Sequence, residues 1–285
     1  YDSVPEFITG GEWDFDNQDA LASANTKYMW ATPAVGNAVT YADGISGKAA
    51  KFDGSENSYI DMGEIPNTGT WKEVTMSAWI KSAKNQNWER DLINLTSRDG
   101  ERMFGLYLMN GFITVACGGE TVPEKMGYIA PSGAQVGYKI SDGDEWEHIA
   151  VTYKMYQDDG TTALNSVKVY RNGGLLGETT KGFRTNFDPS YSPLFLNIGA
   201  RLVRDGNSNI TEVTNKYNGL IDDVRVYKKT LTEDEIFDIY NEHTQNELEV
   251  YDITTGSNTI TAKLQNVAYT PGSKVTVIAA AYDFN

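Results

Sequence analysis

Short runs of alternating apolar and polar residues recur along this chain, each bounded by Gly, Asn, Asp or Ser. In Val74–Thr75–Met76–Ser77–Ala78–Trp79–Ile80 the period is two, so Val74, Met76, Ala78 and Ile80 share one face of a strand. Ser166–Val167–Lys168–Val169–Tyr170 likewise puts Val167 and Val169 together and then enters Arg171–Asn172–Gly173–Gly174. A second Asn-Gly pair, Asn110–Gly111, separates the runs FGLYLM and FITVAC. Asn-Gly between β-prone runs predicts a two-residue hairpin, because both central residues of the favoured turn need positive φ. Many short strands with no helices between them predict an all-β antiparallel sandwich and argue against a βαβ sheet.

One segment has helical spacing. Thr232 precedes Glu233–Asp234–Glu235–Ile236–Phe237–Asp238–Ile239–Tyr240, and Glu235 stands three residues after it, which is the capping-box pattern. Leu231, Ile236, Ile239 and Tyr240 then fall on one face, so a short helix is expected to close one edge of the sandwich. After about Glu247 the texture changes to a strand–turn–strand–turn–strand pattern, with GSN and PGSK as turns. About 40 residues are too few for a free domain. The expected division is therefore a sandwich over 1–245 and, over 246–285, the opening strands of an immunoglobulin-like or fibronectin-like module.

Composition narrows the function classes. With 40% hydrophobic and 22% charged residues, the chain is globular and not disordered. Its 24 basic and 39 acidic residues leave a net charge of −15. A field of that sign repels phosphate backbones and anionic lipid, so nucleic acid is excluded as a partner, while cations and neutral ligands remain compatible. No run reaches the ~20 apolar residues of a spanning helix, so no membrane insertion is expected. The single cysteine, Cys117 in FITVAC, permits no internal disulfide and reads as a small buried hydrophobe. Two histidines and one cysteine cannot form a soft-ligand zinc or redox centre. The chain starts at Tyr1 and stops at Asn285 abruptly, as expected for part of a larger multidomain chain.

Several motifs then fall in a familiar order: Trp13–Asp14–Phe15–Asp16, Gly47–Lys48–Ala49–Ala50–Lys51–Phe52–Asp53–Gly54, and the Val74–Ile80 strand. Glu145–Trp146–Glu147–His148–Ile149–Ala150–Val151–Thr152–Tyr153 and Val169–Tyr170–Arg171–Asn172–Gly173 follow. Asn218–Gly219–Leu220–Ile221–Asp222–Asp223–Val224–Arg225–Val226–Tyr227 and the Leu231–Tyr240 helix close the series. Over residues 10–243 this order resembles the laminin-G-like jelly-roll family of the concanavalin A-like lectin/glucanase superfamily. The resemblance implies a two-sheet antiparallel jelly roll with a short C-terminal helix. Trp79 and Trp146 are then expected in the core and His148 as a half-buried strand residue. In the last strand Ile221, Val224 and Val226 should face inwards while Asp223 and Arg225 meet solvent.

The resemblance also implies a structural Ca²⁺ joining the first strand, an early turn and the last strand. The matching oxygen donors are Asp16, Asp53, Gly54, Asn57 and Asp222, suited to an ion that takes six to eight oxygens. Related glucanases carry paired carboxylates on one strand, E-x-D-x-E or E-x-D-x-x-E, and no such run occurs here, so no catalysis is expected. Sugar sites need aromatic faces and planar or amide side chains for hydroxyls. The insertions at 85–90, 119–141 and 201–217 supply Trp88, Arg90, Tyr128, Tyr138, Arg201, Arg204, Asn207 and Tyr217. Trp88 stands out, an aromatic flanked by Asn87, Glu89 and Arg90. The expected function is a calcium-stabilised, glycan-binding, lectin-like module of a secreted or cell-surface bacterial protein. The alternative is a protein-interaction or adhesion module, and a glycoside hydrolase comes last.

Overall fold

The structure is a computed structural model. It describes residues 10–16, 34–65, 68, 71–84, 87–117, 140, 143, 145–179, 193–244, 249–255 and 260–265. Strands β1 (Gly10–Trp13), β2 (Ala34–Val35), β3 (Thr40–Asp43), β4 (Lys48–Asp53), β5 (Ile60–Ile65) and β6 (Glu73–Ser82) come first. They are followed by β7 (Glu89–Thr96), β8 (Arg102–Met109), β9 (Phe112–Cys117), β10 (Glu147–Tyr156), β11 (Ala163–Arg171) and β12 (Gly174–Thr179). Then come β13 (Leu194–Ile198), β14 (Arg201–Arg204), β15 (Ile210–Thr214), β16 (Asn218–Tyr227), the helix α1 (Glu233–Asn241), β17 (Glu249–Thr255) and β18 (Ile260–Gln265).

Two antiparallel sheets make the sandwich. One runs β12-β11-β10-β6-β16-β4-β3, with β1 also pairing β16; the other runs β2-β5-β13-β7-β8-β9. The alternation read from the sequence decides what lies between them. Val74, Met76, Ala78 and Ile80 of β6 meet Ile93, Leu95, Leu106 and Leu196 of the opposite sheet in one core. Both Asn-Gly pairs turn as expected, with φ of 53° and 82° at Asn110–Gly111 and 47° and 74° at Asn172–Gly173. In the C-terminal part β17 and β18 pair with each other as a hairpin; the third strand expected there falls outside the described residues.

Helix α1 has the expected capping box. Thr232 N donates to Glu235 Oε2 at 2.7 Å, and Glu235 N donates to Thr232 Oγ1 at 3.2 Å. Leu231, Ile236 and Ile239 pack against Ala150, Tyr170 and Tyr227, on the face of the eight-stranded sheet turned away from the main core. That placement changes two expectations for β16. Ile221, Val224 and Val226 do enter the core, but Asp223 and Arg225 are buried and not solvated. Arg225 is held by Asp223 and by Glu242 just beyond α1, and His243 Nε2 lies 3.0 Å from Asp223 Oδ2. Trp79 is buried beneath the helix, stacked 5.5 Å from Tyr240, while Trp146 precedes β10 and is only half-buried. Periodicity separates the two faces of a strand but cannot tell which outer face a helix will cover.

His148 is fully buried in this layer, 5.4 Å from the Trp79 ring and 6.1 Å from Tyr240. Neither ring nitrogen has a hydrogen-bond partner among the described residues. Burial pushes its imidazole from an ordinary 6.5 down to about 3. The unfolded chain therefore takes up a proton below 6.5 that the folded chain resists. Stability falls as pH drops through that window, at about 1.4 kcal/mol per pH unit. In the metal-free chain Asp222 acts in the opposite sense: burial raises its carboxyl from 3.8 to about 7, so it adds stability as pH falls across that range. The expected result is thus a difference between proteins. In urea unfolding, His148→Phe should lose less stability than the parent between pH 7 and pH 5, by roughly 2 kcal/mol. Identical pH slopes would mean that His148 is not held neutral.

Candidate functional site

Two concavities matter, and they lie at opposite ends of β4. The first is a cavity of about 230 Å³ lined by Glu12, Asp14, Asp16, Ser46, Asp222, Asp223, Arg225 and His243. Three distant stretches build it. The ladder between β16 and β6 shifts register between Asp222 and Arg225, and Asp223 takes a positive φ of 44°, a bulge that re-aims the two acids. Asp222 Oδ2 accepts Ile45 N at 2.9 Å and its Oδ1 accepts Asp223 N at 2.8 Å. Asp16, just past β1, accepts Lys48 N at 2.6 Å. The turn between β3 and β4 must pass close to both carboxylates. A Cβ on Gly44 would stand 2.3 Å from Asp222 Oδ2, and one on Gly47 would stand 1.8 Å from Asp16 Oδ1. Glycine is required at both places.

The expected cation ligands therefore divide. Asp16 and Asp222 line one cavity, whereas Asp53, Gly54 and Asn57 lie elsewhere. Asp53 pairs with Asn218, four residues along β16 from Asp222, which is about 13 Å at strand rise. Hydrogen bonds from Ser55 hold its carboxyl below the usual range, and it caps its own turn. Gly54 sits beside Asn218, and Asn57 lines the second concavity. No single ion can join the two groups. The sequence offers two Asp- and Gly-bearing turns, at 43–48 and 53–58, and only strand register shows which one faces the β16 bulge. Asp14 and Ser46 complete the cavity and were not singled out by sequence reasoning. Asp14 was legible, two residues before Asp16 in the same motif.

In the wall of this cavity, Asp223 and His243 join Glu242 in bringing ligand atoms within 4.8 Å of one another. That cluster already holds a cation, because the Arg225 guanidinium contacts both carboxylates.

The second concavity is an open cleft of about 700 Å³ at the end of the six-stranded sheet where β5 and β7 begin. Glu56, Asn57 and Tyr59 form one side, Arg90 enters from β7, and residues 210–216 of β15 and its exit form the other. Backbone bonds fix this arrangement: Asp91 N donates to Asn215 O, and Tyr217 N to Gly199 O, each at 2.8 Å. Below it a buried ionic network anchors the start of β7. Arg102 reaches Asp91 at 2.5 and 3.0 Å and Glu89 at 2.7 Å, while Asn215 Nδ2 donates to Glu89 at 2.8 Å. The Arg102 guanidinium also covers the Tyr107 ring at 4.1 Å.

Trp88 lies two residues before Arg90 and is 76% exposed. Its φ is 60°, an uncommon conformation for a bulky residue. The β8–β9 hairpin holds it there: Trp88 N donates to Asn110 Oδ1 at 2.8 Å, and Asn110 N donates to Trp88 O at 3.0 Å. The indole is thus presented to solvent on a fixed backbone.

The remaining expected ligand residues scatter. Arg201 Nε is spent on Thr214 Oγ1 at 3.2 Å within the β14–β15 hairpin, and Asn207 sits in that hairpin's exposed tip; neither lines the cleft. Tyr217 is not available to a ligand. It is fully buried in the core, edge-on to Phe52, with its hydroxyl 2.9 Å from Ser82 Oγ. Arg204 is buried between Asp61 and Asn197, each near 2.8 Å. Tyr128 and Tyr138 lie outside the described residues. Glu56, Tyr59, Glu212 and Lys216 were missed, since they come together only through sheet order.

Two facing antiparallel sheets in this strand order, with a capped helix against one outer face, define a lectin-type jelly roll. The chain belongs to the concanavalin A-like lectin/glucanases superfamily, whose laminin-G-like family model matches residues 53–237. Solved structures agree on the fold. Domain 4 of AbnA, an extracellular arabinanase from Geobacillus stearothermophilus solved with arabinotriose, superposes with a TM-score of 0.53 at 21% identity, covering 82% of this chain and 98% of that one. The binding domain of botulinum neurotoxin serotype G gives 0.51 at 15% identity, covering 79% and 50%. The binding domain of Paraclostridial Mosquitocidal Protein 1 gives 0.51 at 16%, covering 85% and 53%. The chain thus spans about half the length of the toxin domains. No curated protein sequence matches it. Among the described residues no helix is long and apolar enough to cross a membrane.

Proposed function

We propose that this chain is a non-catalytic, lectin-like module that binds carbohydrate for a larger secreted or cell-surface protein. The observation that carries this is Trp88, an exposed indole on a fixed backbone two residues before Arg90, which lines an open polar cleft. A sugar ring presents C–H groups to an aromatic face and hydroxyls to amides, carboxylates and guanidinium groups, and both kinds of surface meet here. The arabinotriose complex of the arabinanase domain is consistent with the same use of this fold. Glu56 and Glu212 share the cleft but are exposed, outside the water-excluded setting that general acid catalysis uses. A protein-adhesion role finds less support. Among the described residues Trp88 and Leu175 are the large exposed hydrophobics, too few for an apolar docking face. A glycan array probed with the purified chain tests the reading. Binding to a related set of oligosaccharides, lost in Trp88→Ala, supports it; no binding to any glycan overturns it.

The first cavity is proposed to hold calcium. Its donors there are oxygens on Asp16, Asp222, Asp14 and Ser46, which suit a hard cation. Burial pushes the Asp222 carboxyl up to about 7, and a cation bound there would offset the cost of keeping it ionised. Bound calcium would tie β1 and the 44–47 turn to β16 and leave the cleft chemistry to the protein. At about 100 times its dissociation constant, an ion specific for the folded state adds about 2.7 kcal/mol. For a domain of this size that is a rise in Tm of roughly 5–10 °C. Scanning calorimetry with calcium and then with EDTA should show this shift in the parent and in Asp53→Ala, and not in Asp222→Ala. A shift lost with Asp53 and kept without Asp222 would assign the ion to the other turn.

A further inference from the structure

The cleft also carries a charge pattern, and from it we infer that its ligand is an uncharged oligosaccharide of two or more sugar rings. This rests on the carbohydrate reading above and deepens it. Four charged side chains line the cleft, and their signs cancel: Glu56 and Glu212 against Arg90 and Lys216. Arg90 is already partly engaged, since its Nη1 donates to Glu89 O at 2.9 Å. The next cation inwards, Arg102, is buried and saturated by Asp91 and Glu89. A sialic or uronic carboxylate entering the cleft can pair with Arg90 or Lys216 only in the presence of Glu56 and Glu212, which cancel their charge. It also approaches a chain of net charge −15.

The neutral groups suit hydroxyls instead. Asn57 offers a donor and an acceptor, as a sugar hydroxyl does. Thr211 Oγ1, whose proton goes to Val203 O, can accept, and Thr214 Oγ1, which accepts from Arg201 Nε, can donate. Asn215 keeps its amide oxygen as acceptor, while Glu56 and Glu212 accept and Lys216 donates. Charged groups of both signs serve a neutral polyol, whereas an anionic ligand needs one sign in excess. The volume sets the length. At about 700 Å³ the cleft falls within the roughly 300–1,000 Å³ of sites that hold a drug-sized ligand, the size of about two sugar rings. Trp88 supplies a further stacking surface outside the cleft lining.

The test is isothermal titration of the whole chain with two matched ladders, neutral xylo- or cello-oligosaccharides and galacturonate oligosaccharides of equal length. Each ladder is run at low and at physiological salt. Alongside runs the double variant Glu56→Gln/Glu212→Gln, whose positions are exposed and whose Tm should match the parent. Neutral chains should bind with affinity insensitive to salt and rising from one ring to two. Galacturonate chains should bind at least about tenfold more weakly, and the double variant should recover much of that difference. Galacturonate binding as tight as or tighter than neutral binding overturns the inference and leaves the carbohydrate reading intact. So does unchanged selectivity in the double variant. Failure of both ladders, together with an empty glycan array, overturns the carbohydrate reading itself.

Discussion

Replacing Trp88 by alanine should weaken oligosaccharide binding on the order of 30-fold, the cost of removing an anchoring aromatic worth about 2 kcal/mol. Stability should hardly change. The indole is 76% exposed, so little apolar burial is lost, and the backbone bonds to Asn110 do not involve the side chain. A second substitution separates binding from folding. At a φ of 60° glycine relieves the strain of the left-handed backbone, which costs an L-residue about 1–2 kcal/mol. Trp88→Gly should therefore melt no lower than Trp88→Ala while binding as poorly. Titration calorimetry and a melting curve on the same samples give both numbers. An affinity within about twofold of the parent would remove Trp88 from the site.

The largest loss of stability is expected at Arg102. Its guanidinium is nearly inaccessible, lies on the Tyr107 ring and is shared by Asp91, fully buried, and Glu89, half-buried. Arg102→Ala leaves two carboxylates facing each other in a dry layer. Breaking a buried pair in this way costs about 3–5 kcal/mol. At 2–4 °C per kcal/mol the melting temperature should fall by roughly 10 °C. Glu89 is also the acceptor for Asn215, so the start of β7 and the cleft wall should loosen together and glycan affinity should drop with stability. The paired change Arg102→Met/Asp91→Leu should recover a large part of the loss, because hydrophobic replacement of a buried pair is often tolerated. A loss below about 1 kcal/mol for Arg102→Ala would show that water reaches the network.

What could be read before the structure follows from physical range. Alternation in β6, the Asn-Gly turns at 110–111 and 172–173, and the Thr232–Glu235 cap are local, and each formed as expected. Trp88 and Arg90 were legible for the same reason, as an aromatic and a cation in a polar stretch before a strand. Contacts made across the sheets were not legible. Asp53 and Asp16 look alike in sequence, yet Asp53 closes β4 while Asp16, just past β1, bonds Lys48 at that strand's other end, and only Asp16 shares a cavity with Asp222. Tyr217 resembles any loop tyrosine until its hydroxyl is found against Ser82, 135 residues away. Asp223 and Arg225 alternate outwards as a solvated pair would, and α1 then covers them.

The most direct test of carbohydrate binding at this cleft is an NMR titration of the six tryptophan indole N–H signals with a neutral oligosaccharide. The Trp88 signal is assigned as the one missing from Trp88→Phe. A saturable shift of that signal, with the buried Trp79 unmoved, is the expected result. No shift of any indole at millimolar sugar, or shifts that spare Trp88, would contradict it.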